Sequence, residues 1–279
     1  MIFTLPIRKS SLWSLKFIGV LLFVMIVSRI DRSAILTNLE QTNIPLMLAA
    51  FPFLILMYVW KTARWHTLVK TLGIHPTFIE SWQIYNIGTF LGTITPAKVG
   101  EVGRAVYLRR AGLSDPRSLG AVILDRAADI IIIGLLAIGA LGILFGDQWI
   151  AIGMIAILFY LVIARRFIPH AHFFSRKLML SLFLWTILSW ITYFAWAVLV
   201  ARSIGILTPL PILIAVFTLA GIIAMFPIAP SGLGTRDAAL ITLLTPYNVG
   251  TEQAVALSFL MFISIVASSS IGGYYYLRR

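Results

Sequence analysis

The sequence predicts an all-α, polytopic integral membrane helical bundle, and three observations carry that expectation. Hydrophobic residues fill 60% of the 279 positions and charged residues 11%, in apolar runs too long for the core of a water-soluble domain. The 22 Lys and Arg residues gather in alternate connections between those runs, as the positive-inside bias requires. Finally, a charged interruption rich in Pro and Gly occurs twice. Thr95-Pro96-Ala97-Lys98-Val99-Gly100-Glu101-Val102-Gly103-Arg104 is followed 134 positions later by Ala229-Pro230-Ser231-Gly232-Leu233-Gly234-Thr235-Arg236-Asp237. This offset sets Pro96 on Pro230, Val99 on Leu233 and Gly100 on Gly234. With no Cys in the chain, disulfides, thiolate catalysis and Cys-ligated metals are excluded. In a soluble protein the net charge of +12 would suggest nucleic acid; here it is read as loop bias, and no nucleic-acid partner is expected.

The chain is expected to form a single membrane domain, 1–279, in four parts. Residues 1–77 hold two spans. The first, 12–27, follows Arg8 and Lys9 without a small-x-small cleavage site, so it reads as a retained span. The second, 44–60, is expected to kink at Pro52 and to end before a basic connection with Lys61, Arg64 and Lys70. Residues 78–145 form the first hairpin and the span after it. Segment 78–94 carries Gln83, Asn86, Gly88 and Thr89, residues suited to a helix interface. Thr95 and Pro96 then open a short helix that stops at Arg109-Arg110-Ala111-Gly112. Ser114-Asp115-Pro116 starts the next helix, whose span 118–145 contains Asp125, Arg126 and Asp129. Residues 146–210 hold two spans, 149–164 and 178–201. Residues 211–279 contain the apolar arm 211–228, a second short helix 237–245 and a last span, 253–277. In that span Ser268, Ser269, Ser270, Gly272 and Gly273 offer a small-residue packing face.

Both interruptions are expected to be tips of re-entrant hairpins, with Pro96, Gly100 and Gly103 at one tip and Pro230, Gly232 and Gly234 at the other. With both chain ends on the cytoplasmic side, this topology places fifteen basic residues inside and three outside. Lys98, Arg104, Arg126 and Arg236 are left at membrane depth. An ordinary crossing at 78–94 would move Arg109, Arg110 and Arg117 to the wrong side. The tips then approach the midplane from opposite faces, the arrangement of an inverted repeat.

Charges at membrane depth face partners, a wet cavity or a bundle interior. Four cations there, Lys98, Arg104, Arg126 and Arg236, stand against Glu101, Asp125, Asp129 and Asp237. Helical spacing allows Lys98, Glu101 and Arg104, or Arg126 and Asp129, to neutralise one another as structural glue. It equally allows Lys98, Arg104 and Arg236, with Thr95 and Asn86, to hold an anionic headgroup. Glu101, Asp125, Arg126, Asp129 and Asp237 would then serve charge pairing or proton coupling. Asp125 and Asp129, at i and i+4, also admit a divalent-metal reading, and with it a metal-dependent intramembrane transferase or hydrolase acting on lipid phosphates. That reading calls for a second acidic cluster, which the sequence does not offer. Neither a resident metal nor a cofactor is expected.

Asn86-Ile87-Gly88-Thr89-Phe90-Leu91, Thr95 through Glu101, Arg104-Ala105 and Leu108-Arg109-Arg110 resemble the membrane-embedded flippase-like family typified by the transmembrane domain of lysylphosphatidylglycerol synthases. Asp125-Arg126-Ala127-Ala128-Asp129 resembles its next motif, and Pro227 through Asp237 its late one, where Asp237 stands in place of the usual Glu. The resemblance implies a multi-pass protein of the cell membrane that moves a lipid, or a lipid-linked headgroup, between leaflets. The lipid itself, with an anionic headgroup, is the expected partner, along with a separate lipid-modifying enzyme or glycosyltransferase. Family members that make aminoacylated lipid carry a separate soluble transferase domain. The 279 residues leave no room for one, so no enzymatic activity is expected of this polypeptide.

Overall fold

A computed structural model describes residues 37–155, 158, 175–225 and 234–278, together with the backbone but not the side chains of Pro96 and Ala97. The expected span 12–27 and half of 149–164, and the tip residues Pro230 and Gly232, lie outside the described residues. All regular structure among the described residues is helical. Four helices are long and apolar enough to cross a membrane: α1 (Ile44–Thr71), α4 (Asp115–Phe145), α5 (Arg176–Ser203) and α8 (Thr251–Leu277). Between them lie α2 (Phe78–Ile94), a 3-10 helix (Pro96–Gly103), α3 (Arg104–Arg110), α6 (Leu210–Met225) and α7 (Thr235–Leu244).

Local chemistry sets most helix ends. The Asn43 side chain accepts from the Leu46 N–H at 3.0 Å, and Thr77 and Glu80 form a reciprocal capping box, with the Thr77 N–H donating to Glu80 at 2.7 Å. Ser175 caps α5 through the Leu178 N–H, and Asp237 caps α7 by accepting from the Gly234 N–H at 2.6 Å. One boundary corrects the sequence reading. α1 does not stop at Trp60 but runs to Thr71, about 42 Å at 1.5 Å per residue. Nothing between Trp60 and Gly73 can stop a helix, whereas Gly73 takes φ 87° just beyond its end.

The chain's course follows from contacts between its ends. The Asn43 N–H donates to the Ser203 carbonyl at 2.7 Å, and further along Trp60 stacks on Trp185 at 5.6 Å, so α1 and α5 run antiparallel. Short connections follow each. α2 therefore starts at one end of the bundle and α6 at the other, where Gln253 of α8 reaches the Ile204 carbonyl at 2.8 Å. α2 and the following 3-10 helix fold back on one another, the closest approach being Gly100 on the Leu91 backbone, where a Cβ would lie 2.2 Å from the Leu91 oxygen. Thr95 clasps this bend by donating to the Leu91 carbonyl at 2.7 Å and accepting from the Gly100 N–H at 2.8 Å. It does not cap a following α-helix, because the eight residues after it are 3-10.

Helix packing follows an exchanged pattern. α2 packs on α8 and α6 on α4, while α3 and α7 each pack on the long helix that follows them in the chain. Adding 134 to α1, α2 and α4 gives 178–205, 212–228 and 249–279, each end within three residues of α5, α6 and α8. The small-residue face of α8 forms the α2 contact, where a Cβ on Gly272 would come within 1.9 Å of the Asn86 oxygen and one on Gly273 within 3.0 Å of the Phe90 ring. Large apolar residues such as Leu48, Ile123, Leu180 and Leu207 point outward, whereas Arg64, Asp125 and Arg104 are at most 1% exposed. This inverted distribution suits lipid as solvent.

Candidate functional site

The buried polar centre is an ion network drawn from α1, α2, α3, α4, α5 and the 3-10 helix. Its hub is Arg64. That guanidinium donates to Asp125 at 2.8 Å, to both oxygens of Asp129 at 2.8 and 3.0 Å, and to the Thr186 hydroxyl at 3.0 Å. Asp125 also receives Arg104 at 2.9 Å and Arg126 at 3.4 Å, so three guanidinium groups share one carboxylate. Arg104 in addition reaches the backbone and side-chain oxygens of Glu101, and its plane lies between the rings of Trp65 and Tyr85, 4.5 and 4.7 Å from their centroids. Arg126 pairs with Glu101 at 2.7 Å and with Asp129 at 3.5 Å, and donates to the Tyr85 hydroxyl at 3.1 Å. Lys61 completes the set, 3.6 Å from Asp129.

Glycines make room for these side chains. A Cβ on Gly88 would lie 2.6 Å from the Arg104 Cγ, and one on Gly92 2.6 Å from the Glu101 Cγ. Thus α2 supplies, with Gly88, Gly92 and the Tyr85 ring, the wall against which the 3-10 helix and α3 present Glu101 and Arg104. The carboxylates reach the same point because Asp125 and Asp129 sit one turn apart on α4, about 15 to 21 Å from its start.

The network therefore differs in membership from the inventory read in the sequence. Lys61 and Arg64, assigned there to a cytoplasmic connection, are members. Arg236 and Asp237 belong elsewhere. Arg236 is 5% exposed and donates to the hydroxyl and carbonyl of Ser258 at 3.1 and 2.9 Å, and Asp237 serves as the α7 cap. Lys98 is exposed at the bend with φ 55°. Asn86 is buried and donates to the Trp82 carbonyl at 2.8 Å. Gly103 ends the 3-10 helix, and Gly234 takes φ 80° at the start of α7. The sequence did hold a signal for the missed members. Lys61, Arg64, Trp65 and Leu68 are spaced i, i+3, i+4 and i+7, one continuing helical face.

Charge does not balance. Among the described residues, four cations, Lys61, Arg64, Arg104 and Arg126, meet three carboxylates, Glu101, Asp125 and Asp129. Among the described residues, no group of three or more His, Asp or Glu side chains is arranged to hold a metal ion. The Asp125 and Asp129 oxygens are instead taken up by guanidinium groups.

The sequence model of the lysylphosphatidylglycerol synthase TM region matches residues 11–273. The chain belongs to that family. A UPF0104 membrane protein of Methanocaldococcus jannaschii is similar to it, 31% identical over 129 residues, which cover 45% of this chain and 38% of that protein. The match spans less than two fifths of that relative's length. Membership covers both interruptions and every member of the ion network.

Proposed function

We propose that this protein translocates an anionic phospholipid or a polyprenyl-phosphate-linked lipid between the leaflets of the cell membrane. The observation that carries the reading is the surplus cation in the buried network. A net positive cluster among apolar helices is costly unless an anion joins it, and a lipid phosphate supplies one while its tails remain in lipid. The paired helices α2–α3 and α6–α7 would then be re-entrant hairpins in an inverted repeat, supported by the exchanged packing and by their origin at opposite ends of the bundle. Rocking of one repeat against the other would change the leaflet that the headgroup faces. Both chain ends would then lie on the cytoplasmic side, a reading supported by the distribution of basic residues along the sequence. A separate lipid-modifying enzyme or glycosyltransferase would supply or consume the lipid, and this polypeptide would leave it chemically unchanged.

The test is leaflet exchange of fluorescent phosphatidylglycerol in proteoliposomes. Wild-type protein should accelerate exchange, and a folded Arg126→Gln variant should lose most of it. No exchange across a panel of anionic phospholipids and polyprenyl phosphates would refute the reading.

A further inference from the structure

Members of the network divide by how well they are satisfied. Every nitrogen of Arg64 and Arg104 has a protein acceptor, and both side chains are at most 1% exposed. These two residues are fixed parts of the wall. Lys61 and Arg126 are different. Their side chains are 18% and 26% exposed, and both approach the same Asp129 oxygen, at 3.6 and 3.5 Å. The Lys61 ammonium has only that long ion pair among the described residues, too long for a hydrogen bond. Among the described residues, neither the buried Arg126 Nε nor the buried Trp190 Nε1 has an acceptor. The Trp190 ring lies 5.9 Å from the Lys61 ammonium. Next to Asp129, then, the Lys61 ammonium and the Arg126 Nε lack a hydrogen-bonded acceptor among the described residues, and the Trp190 ring stands beside that ammonium.

Buried donors without acceptors cost free energy, and the same donors become strong when an oxyanion arrives. The arrangement also matches the charge count, since one anion of single charge neutralises the surplus. We propose that Lys61, Arg126 and Trp190 form an oxyanion subsite for a phosphodiester, with Lys61 in direct contact with the phosphate. This rests on the translocation reading for the identity of the ligand as a lipid, but not for the existence of the site. Arg64 and Arg104 act as positioning residues, holding Asp125 and Asp129 so that Lys61 and Arg126 face outward. Trp190 contributes one N–H.

The experiment uses the full chain in detergent micelles, with dihexanoyl phosphatidylglycerol, dihexanoyl phosphatidylcholine and sodium phosphate as probes in an equilibrium binding titration. Wild-type protein should bind the phosphatidylglycerol, and Lys61→Met should weaken that binding about tenfold. Lys61→Arg, which keeps the charge, should recover most of it. Trp190→Phe removes the N–H together with the five-membered part of the indole while keeping an aromatic ring at the position, and it should weaken binding a few-fold; it decides the matter if Lys61→Met does not fold. Unchanged affinity in folded Lys61→Met, or in Trp190→Phe where that variant decides, would overturn the subsite. Sodium phosphate binding at least as tightly as phosphatidylglycerol, and lost in Lys61→Met, would keep the oxyanion site but overturn its assignment to lipid. Phosphatidylcholine binding equal to that of phosphatidylglycerol would overturn the requirement for a net anion. Leaflet exchange separates the two proposals. Lys61-dependent binding without any exchange refutes translocation alone, and exchange with Lys61-independent binding refutes the subsite alone.

Discussion

Replacing Arg64 by Met should be among the most damaging single changes available in this fold. The side chain is fully buried, and it makes three hydrogen bonds to two carboxylates and a fourth to Thr186. Methionine fills most of the volume, so the loss is mainly electrostatic. Asp125 keeps Arg104 as a close partner at 2.9 Å, but Asp129 is left with only the ion pairs at 3.6 Å to Lys61 and 3.5 Å to Arg126. Removing one partner of a buried pair costs about 3–5 kcal/mol, because the remaining charge is stranded. The assay is reversible unfolding in mixed micelles of dodecylmaltoside and SDS, followed by tryptophan fluorescence. Combining Arg64→Met with Asp129→Asn should give back part of the loss, since the stranded charge is then gone. The reasoning fails if Arg64→Met lies within about 1 kcal/mol of wild type, or if the two substitutions are simply additive.

Other positions separate close packing from open space and buried charge from exposed charge. Gly272→Ala should destabilise by at least about 1–3 kcal/mol, because its Cβ would overlap the Asn86 carbonyl. Gly134→Ala, on α4 with nothing within 4 Å of the new carbon, should be neutral or stabilise by up to about 1 kcal/mol, and parallel melting curves compare the two. The ion pair between Arg109 and Asp115 is nearly half exposed at both side chains, so Asp115→Asn should change the unfolding free energy by less than about 1 kcal/mol. Lys98→Gly should raise the melting temperature, because a lysine at φ 55° carries about 1–2 kcal/mol of backbone strain. If Lys98 serves an anion at the hairpin bend, the same variant should slow leaflet exchange, and unchanged exchange would remove it from the site.

Much of the candidate site was legible as residue types and little of it as partners. Glu101, Arg104, Asp125, Arg126 and Asp129 stand out in sequence because charge within apolar helices demands an explanation, and all five meet in the network. Their i, i+3 spacing suggested pairing within each segment. The shorter bonds instead join Arg126 to Glu101, Arg64 to Asp125 and Asp129, 61 and 65 positions away, and Arg104 to Asp125, 21 positions away. Arg64 escaped notice because a basic residue just after an apolar run has the same local signature whether the helix ends or continues.

Sequence alone determined the membrane class, most helix starts and the two interruptions. Each depends on neighbours within a turn or two: hydropathy over some twenty residues, a cap, a proline or a glycine. Only the tertiary structure decided which charges meet, that Arg236 lies against Ser258 instead of joining them, and that the cations outnumber the carboxylates by one. Those outcomes depend on which helices pack together. In an apolar solvent, that choice is governed by shape and by small residues such as Gly88, Gly92 and Gly272, whose partners lie on other elements and leave no local mark in the chain.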